Sequence, residues 1–480
     1  MRSRYPRLLI AGLKGGSGKT TLSLGLIAAW RQEGLSVVPY KKGPDYIDAG
    51  WLSAAAGRLC YNLDPFLIGK ERVQASFTEH FGDADCAVIE GNRGIYDGMD
   101  AAGTFSTAEL SKALKCPVVL IIDCTKATRT VGAMLLGMMK FDRKVSIKGA
   151  VLNHVAGSRH EKIIREVIKN YCNVPVLGAI PKLGDVLFSE RHMGLTPFQE
   201  HPDVEKAISL AADVVRKYVD IEGLKEIAEA ASGAGLPALP GVSLPSFCSE
   251  GPVIGVIRDS AFQFYYPENF EELQRQGARL VEVSALTEKR LPEVDALYIG
   301  GGFPETHSIA LAENVSFRRS LLKEVERGLP VYAECGGLMY LGRSLMLEKK
   351  RYAMVGVFPI TFSLERKPQA HGYTVVEVLR QNPFYRRGTV LKGHEFHYSK
   401  VVDCGKREGM TFSFVMKRGQ GIRANMDGVC YKNVLATYTH LHAYGAPEWA
   451  DGLVKRAAAY KEERGRGVTK RKDNKTARRP

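Results

Sequence analysis

Two short stretches of this 480-residue chain carry residue types spaced for chemistry. The first is GLKGGSGKTT, residues 12–21. Consecutive glycines leave backbone N–H groups open to an anion, and a helix starting near Lys19 adds its N-terminal amides. In such a loop Lys19 reaches the outer phosphates of a nucleotide, and the Thr20 hydroxyl is a ligand for Mg²⁺. Lys14, Gly15, Gly16, Ser17, Gly18 and Thr21 complete the expected nucleotide contacts. The second stretch is VYAECGGLMYL, residues 331–341. A short apolar strand runs through Cys335 into two glycines and a helix, which sets the sulfur on a sharp turn. Proximity to a helix N-terminus is expected to lower the thiol pKa. A thiolate nucleophile needs a base, and TYTHLHAYG supplies His440 and His442. Two residues apart on a strand, they face opposite ways, so one of them serves Cys335. Gly300, Gly301 and Gly302 form a second glycine turn, a candidate oxyanion hole together with the helix amides.

Carboxylates extend the first site. CAVIE ends in Glu90, and KKGPDYIDAG carries Asp45 and Asp48 after another apolar run. The carboxyl ends of strands are where open α/β sheets bind ligands. Glu90 is therefore a candidate direct or outer-sphere Mg²⁺ ligand beside Thr20, and Asp45 and Asp48 extend the site.

The elements that must position these groups alternate. Residues 7–11, 37–40, 86–90, 118–122, 147–152 and 174–180 read as buried strands, with helical spacing over 20–33 and 160–170. This pattern implies an α/β fold with a parallel, doubly wound sheet over residues 1–225. Residues 226–252 read as a linker, rich in Gly, Pro, Ser and Ala. Strands at 253–257, 279–283, 296–299 and 331–333 begin a second α/β domain over 253–450. Residues 451–480 are expected to be a basic, disordered tail. From Lys461 onward the tail holds nine Lys/Arg against three Asp/Glu, so it carries +6 of the formal +15. The remaining charge suits a small polyanion, and no aromatic-rich basic motif points to nucleic acid. Nine scattered cysteines without Cys-x-x-Cys spacing, and no long apolar run, point to a cytoplasmic protein that neither spans a membrane nor is built around zinc.

The strict G-x-x-x-x-G-K-[ST] pattern fails at Leu13. The loop instead resembles the K-G-G-x-G-K-[ST] form of the partitioning-ATPase and dethiobiotin-synthetase superfamily, in which Lys14 also points at phosphate. Taken in order, GGSGKTT, KKGPDYIDAG, EGNRGIYDG, IGGGFPE, AECGGLMYL, LKGHEFHYS and TYTHLHAYG resemble the cobyrinic acid a,c-diamide synthase family over nearly the whole chain.

The resemblance implies a dethiobiotin-synthetase-like P-loop domain followed by a class I glutamine amidotransferase-like domain. Cys335 and His440 would release ammonia from glutamine, and ATP would phosphorylate a carboxylate of a tetrapyrrole that ammonia then converts to an amide. The implied partners are ATP, glutamine and a polycarboxylate tetrapyrrole, with Mg²⁺ as cofactor and a homodimer as candidate assembly. The resemblance places Tyr46, Ile47, Asp48, Arg93 and Asp97 beside the macrocycle, Asn153 beside adenine, and Thr20, Asp45 and Glu90 at Mg²⁺. Asn92-Arg93 departs from the family's usual small or apolar pair, which leaves sirohaem or Ni-sirohydrochlorin open as substrate. Ordinary triad amidotransferases carry Glu two residues after the histidine, whereas here that position is His442. A Cys–His dyad, or a third partner from elsewhere with Glu395 as one candidate, is expected. His394 and His397 read as structural or substrate-pocket residues rather than metal ligands. The rival class is an ATP-switch protein that dimerises on nucleotide, which Lys14 favours and Cys335 with His440 disfavours.

Overall fold

A computed structural model describes residues 5–183, 190–191, 194–233, 236 and 251–476. The chain divides into two compact units, Met1–Val242 and Ser243–Pro480.

The first unit is built on seven parallel strands, in the order Tyr61–Leu63, Val37–Lys42, Cys86–Gly94, Arg7–Gly12, Val118–Asp123, Ile147–Val155, Val176–Pro181. RLLIAG and VVLIID are almost wholly buried, as expected of strands covered on both faces. The short strand Tyr61–Leu63 carries too little apolar pattern to be read from sequence. Three of the long strands end near a chemical group. Arg7–Gly12 delivers the glycine loop to helix Lys19–Gln32, Val37–Lys42 delivers the Asp45–Asp48 turn to helix Ile47–Ala56, and Cys86–Gly94 carries Glu90. The expected boundary at 225 falls inside helix Ile221–Ala230. Leu224 and Ala228 of that helix join the core of the first unit, so the unit extends past 225. Most of the expected linker, 226–252, lies outside the described residues.

The second unit holds a ten-stranded mixed sheet. Five parallel strands, Arg279–Val283, Val253–Ile257, Ala296–Ile299, Val331–Glu334 and Val434–Thr437, form one half. An antiparallel half follows through Met426–Tyr431, Thr411–Arg418, Ala370–Val378, Val390–His397 and His440–Leu441. Residues 447–476 form one helix, against the expectation of a disordered tail from 451. Trp449, Leu453, Ala457 and Tyr460 recur at helical spacing and are buried. Arg464 then pairs with Asp295 at 3.0 Å, and Lys461 donates to the Gly251 carbonyl. This apolar stripe, hidden beside a basic composition, packs the first half of the helix into the cores of the second unit.

Candidate functional site

In the first unit the loop turns through Gly16 and Gly18, both with positive φ. A side chain at Gly18 would collide with the Asn153 amide, so glycine is required there on two counts. Ser17 Oγ donates to the Lys14 carbonyl at 2.9 Å, and Asn153 Nδ2 donates to the Ser17 carbonyl at 3.0 Å. Asn153 therefore braces the loop. Lys19 is buried and donates to the carbonyls of Arg93 (3.0 Å) and Lys14 (3.3 Å). Burial holds its pKa below the ordinary value against the opposing charge of Glu90. Lys14 is largely exposed, with Asp123 at 3.4 Å.

Thr20 Oγ1 donates to Glu90 Oε1 at 2.9 Å. Lys41, which sequence reasoning passed over, lies at the centre of the acidic cluster. Its side chain is 2% exposed, and its Nζ stands 2.6 Å from Asp48, 2.7 Å from Glu90 and 3.7 Å from Asp45. Burial opposes its charge, yet the three carboxylates hold its pKa well above the usual lysine value. A lysine inside the buried run VVPYKK was the available signal. Burial raises the Glu90 pKa, with Lys41 pulling against it. Burial also acts to raise Asp48, but Lys41 overrides it and holds Asp48 low. Burial, and next the charge of Asp48, push Asp45 up to about 7. Of the other expected residues, Tyr46 and Ile47 open helix Ile47–Ala56, and Thr21 lies in the first turn of helix Lys19–Gln32. Arg93 is exposed at a positive φ, and Asp97 Oδ2 accepts from the Gly94 amide at 2.9 Å.

In the second unit Cys335 sits between strand Val331–Glu334 and helix Gly336–Leu341, with φ 47° and ψ −98°. That strained elbow is pinned by Cys335 N donating to Thr437 O at 2.7 Å and Gly337 N to Gly300 O at 3.1 Å. The thiol is buried. Burial pushes its pKa well above the ordinary value, and Glu305, Glu334 and Glu395 push the same way, whereas the Gly336 amide pulls down. The expected lowering by the helix terminus is thus corrected, because desolvation and three carboxylates outweigh it.

A Cβ on Gly301 would overlap the His440 ring, and a Cβ on Gly336 would stand 3.0 Å from Gly302 N. The Gly300–Gly302 turn is thus flanked by the histidine on one side and the cysteine elbow on the other. Gly300 N donates to Tyr265 Oη at 2.8 Å, which leaves Gly301, Gly302 and Gly336 as the oxyanion-hole candidates. His442 lies elsewhere, with Nε2 3.4 Å from Glu268 and Nδ1 accepting from Tyr444 N. Glu395, the candidate third partner, spends its oxygens on the amides of Gln420 and Gly421. The acidic group beside His440 is Glu334, with Oε2 3.5 Å from His440 Nδ1. Sequence reasoning missed it, although it is adjacent to Cys335. His394 stacks on His440 with ring centres 4.8 Å apart, and His397 stacks on Tyr438.

Comparisons with known proteins divide the chain the same way. Residues 8–195 match the family model of the CobQ/CobB/MinD/ParA nucleotide binding domain, and residues 253–447 match the CobB/CobQ-like glutamine amidotransferase domain. This pairing defines the class: an ATP-dependent amide ligase that takes nitrogen from glutamine. Cobyrinate a,c-diamide synthase of Magnetococcus marinus is 41% identical over 95% of this chain and 98% of its own. Those of Archaeoglobus fulgidus (41%; 94% and 97%) and Listeria monocytogenes serotype 4b (38%; 91% and 96%) are similar over nearly the same span. The chain belongs to the cobyrinate a,c-diamide synthase family.

Proposed function

We propose that this chain amidates the a and c acetate carboxylates of cobyrinic acid, using ATP and glutamine-derived ammonia. The observation that carries the reading is the separation of two chemistries: a phosphate loop with an acidic cluster in one unit, a Cys335 elbow beside His440 in the other.

Cys335 Sγ attacks the glutamine side-chain carbon as its proton passes to His440, and the tetrahedral oxyanion lies toward the glycine-turn amides. The proton then leaves on ammonia, and water releases glutamate from the thioester. At the other site a macrocycle carboxylate attacks the γ-phosphorus of ATP and expels ADP. Ammonia attacks the resulting acyl phosphate, and phosphate departs. Phosphorylation is needed because a bare carboxylate would have to expel oxide.

Lys19 and the loop amides hold the phosphates, and Lys41 sits where negative charge accumulates between nucleotide and carboxylate. The residues fit Mg²⁺: Thr20 Oγ1 stands beside Glu90, whose buried Oε2 has no hydrogen-bond donor among the described residues, with Asp45 nearby. Bound there, the ion would neutralise phosphate charge.

The test is to incubate the protein with ATP, Mg²⁺ and glutamine, and with cobyrinic acid, sirohaem or Ni-sirohydrochlorin in parallel, and to read the products by mass spectrometry. A doubly amidated cobyrinic acid is expected. Amidation of another macrocycle alone would replace the substrate and keep the mechanism. ATP binding without amidation of any would overturn the proposal.

A further inference from the structure

The Glu334 carboxylate touches groups from three separate elements. Oε1 accepts from Leu441 N at 3.1 Å, Oε2 accepts from Tyr298 Oη at 3.3 Å, and Oε2 lies 3.5 Å from His440 Nδ1. Its side chain is 1% exposed. The Tyr298 hydroxyl in turn accepts from Asn269 Nδ2 at 3.2 Å, and Asn269 also bonds Leu441 O and Ala443 N. The carboxylate is therefore anchored on both sides of His440. From this we propose that Glu334 is a positioning residue of the glutamine-cleaving site, which holds His440 in the tautomer able to take the Cys335 proton. The inference rests on the amidotransferase reading of Cys335 and His440.

The His440 ring presents Nδ1 to Glu334, while Cε1 and Nε2 face Gly301, the turn that also borders the cysteine elbow. A buried carboxylate beside Nδ1 favours the proton on that nitrogen, which leaves the Nε2 lone pair facing the turn. When the thiol gives its proton to Nε2, the sulfur becomes thiolate and the ring imidazolium, and Glu334 offsets the new positive charge. This matters because burial keeps Cys335 protonated on its own. An acid two residues after the histidine does this work in ordinary triads. Here the residue before the nucleophile takes that place, since parallel pairing sets Glu334 opposite Thr437, three residues before His440.

Titratable groups beside His440 include Glu334 from strand Val331–Glu334 and His394 from strand Val390–His397, with Tyr298 behind Glu334 and Tyr266 behind His394. Burial, and next the neighbouring His440, hold His394 neutral, so it supplies no competing charge.

The test compares wild type, Glu334→Gln, Glu334→Asp and Cys335→Ala as full chains. Glutamate release from glutamine and amidation driven by added ammonia are measured in each. Glu334→Gln is expected to lose about 10²–10⁴-fold in glutaminase kcat with KM for glutamine little changed, and to keep ammonia-driven amidation. Glu334→Asp should recover part of the rate. Glutaminase kcat within about threefold of wild type in Glu334→Gln would overturn the proposal. Equal loss of both activities in the Gln and Asp variants, with a lowered melting temperature, would overturn it too and assign a purely structural role. Absence of Cys335-dependent glutamate release in wild type would remove the amidotransferase reading itself, and this role with it.

Discussion

Lys41 joins stability to function through one buried ammonium group. Lys41→Met leaves Glu90 and Asp48 in the interior without their counter-charge. Removing one partner of a buried ion pair costs about 3–5 kcal/mol, more than an exposed pair contributes. A lower melting temperature and loss of ammonia-driven amidation are expected together, measured by thermal denaturation and ADP release. Asp45 makes a pH prediction. Its folded pKa stands near 7 against an ordinary 3.8. Between those values the folded chain keeps a proton that the unfolded chain has lost, so this residue's contribution to stability declines as pH rises through that window. Asp45→Asn removes the titration. Without nucleotide, its melting temperature should gain on wild type from pH 4 to pH 8, by roughly 2–5 °C. A constant difference across that range would contradict the assignment. Cys335→Ala tests the other unit: glutamine-driven synthesis should vanish, while ammonia-driven synthesis stays near wild type.

At the scale of elements, placement rests on turns rather than on strand interiors. Gly301→Ala would push its methyl into His440. A displacement of about 1 Å at a catalytic group costs on the order of 10²-fold in rate, so glutaminase should fall by that factor with ammonia-driven activity intact. Asp427 steadies the same region from behind, accepting from the amides of Gly428, Tyr438 and Thr439 and the hydroxyls of Thr437 and Thr439. Much of this scaffold was legible in the sequence, because buried parallel strands announce themselves as continuous apolar runs closed by Gly, Pro or Asp. RLLIAG, VVLIID and VIGVI were readable for that reason, as were the loop at Lys19 and the elbow at Cys335. The antiparallel half of the second sheet was not, since strands such as KGHEFH mix polar and apolar residues and take their partners from far along the chain. Lys41 and Glu334 escaped for a related reason. A charged residue inside an apolar strand gains its meaning only from neighbours that the fold brings from other strands.

Across the whole molecule, the two units keep separate apolar cores. One runs from Leu8 to Ala228, and the clusters of the second lie between Ile254 and Tyr460. Each unit carries its own site, so each ligand should stabilise the unit that binds it. A ligand that binds only the folded form adds RT ln(1 + [L]/Kd), about 2.7 kcal/mol at a hundredfold excess over Kd. Scanning calorimetry of the Cys335→Ala chain, which binds glutamine without turning it over, makes the comparison clean. Two transitions are expected. MgATP should raise the one belonging to residues 1–242, and glutamine the one belonging to residues 243–480. A single transition that moves equally with either ligand would mean that the units unfold as one, and that occupancy of one site is felt at the other.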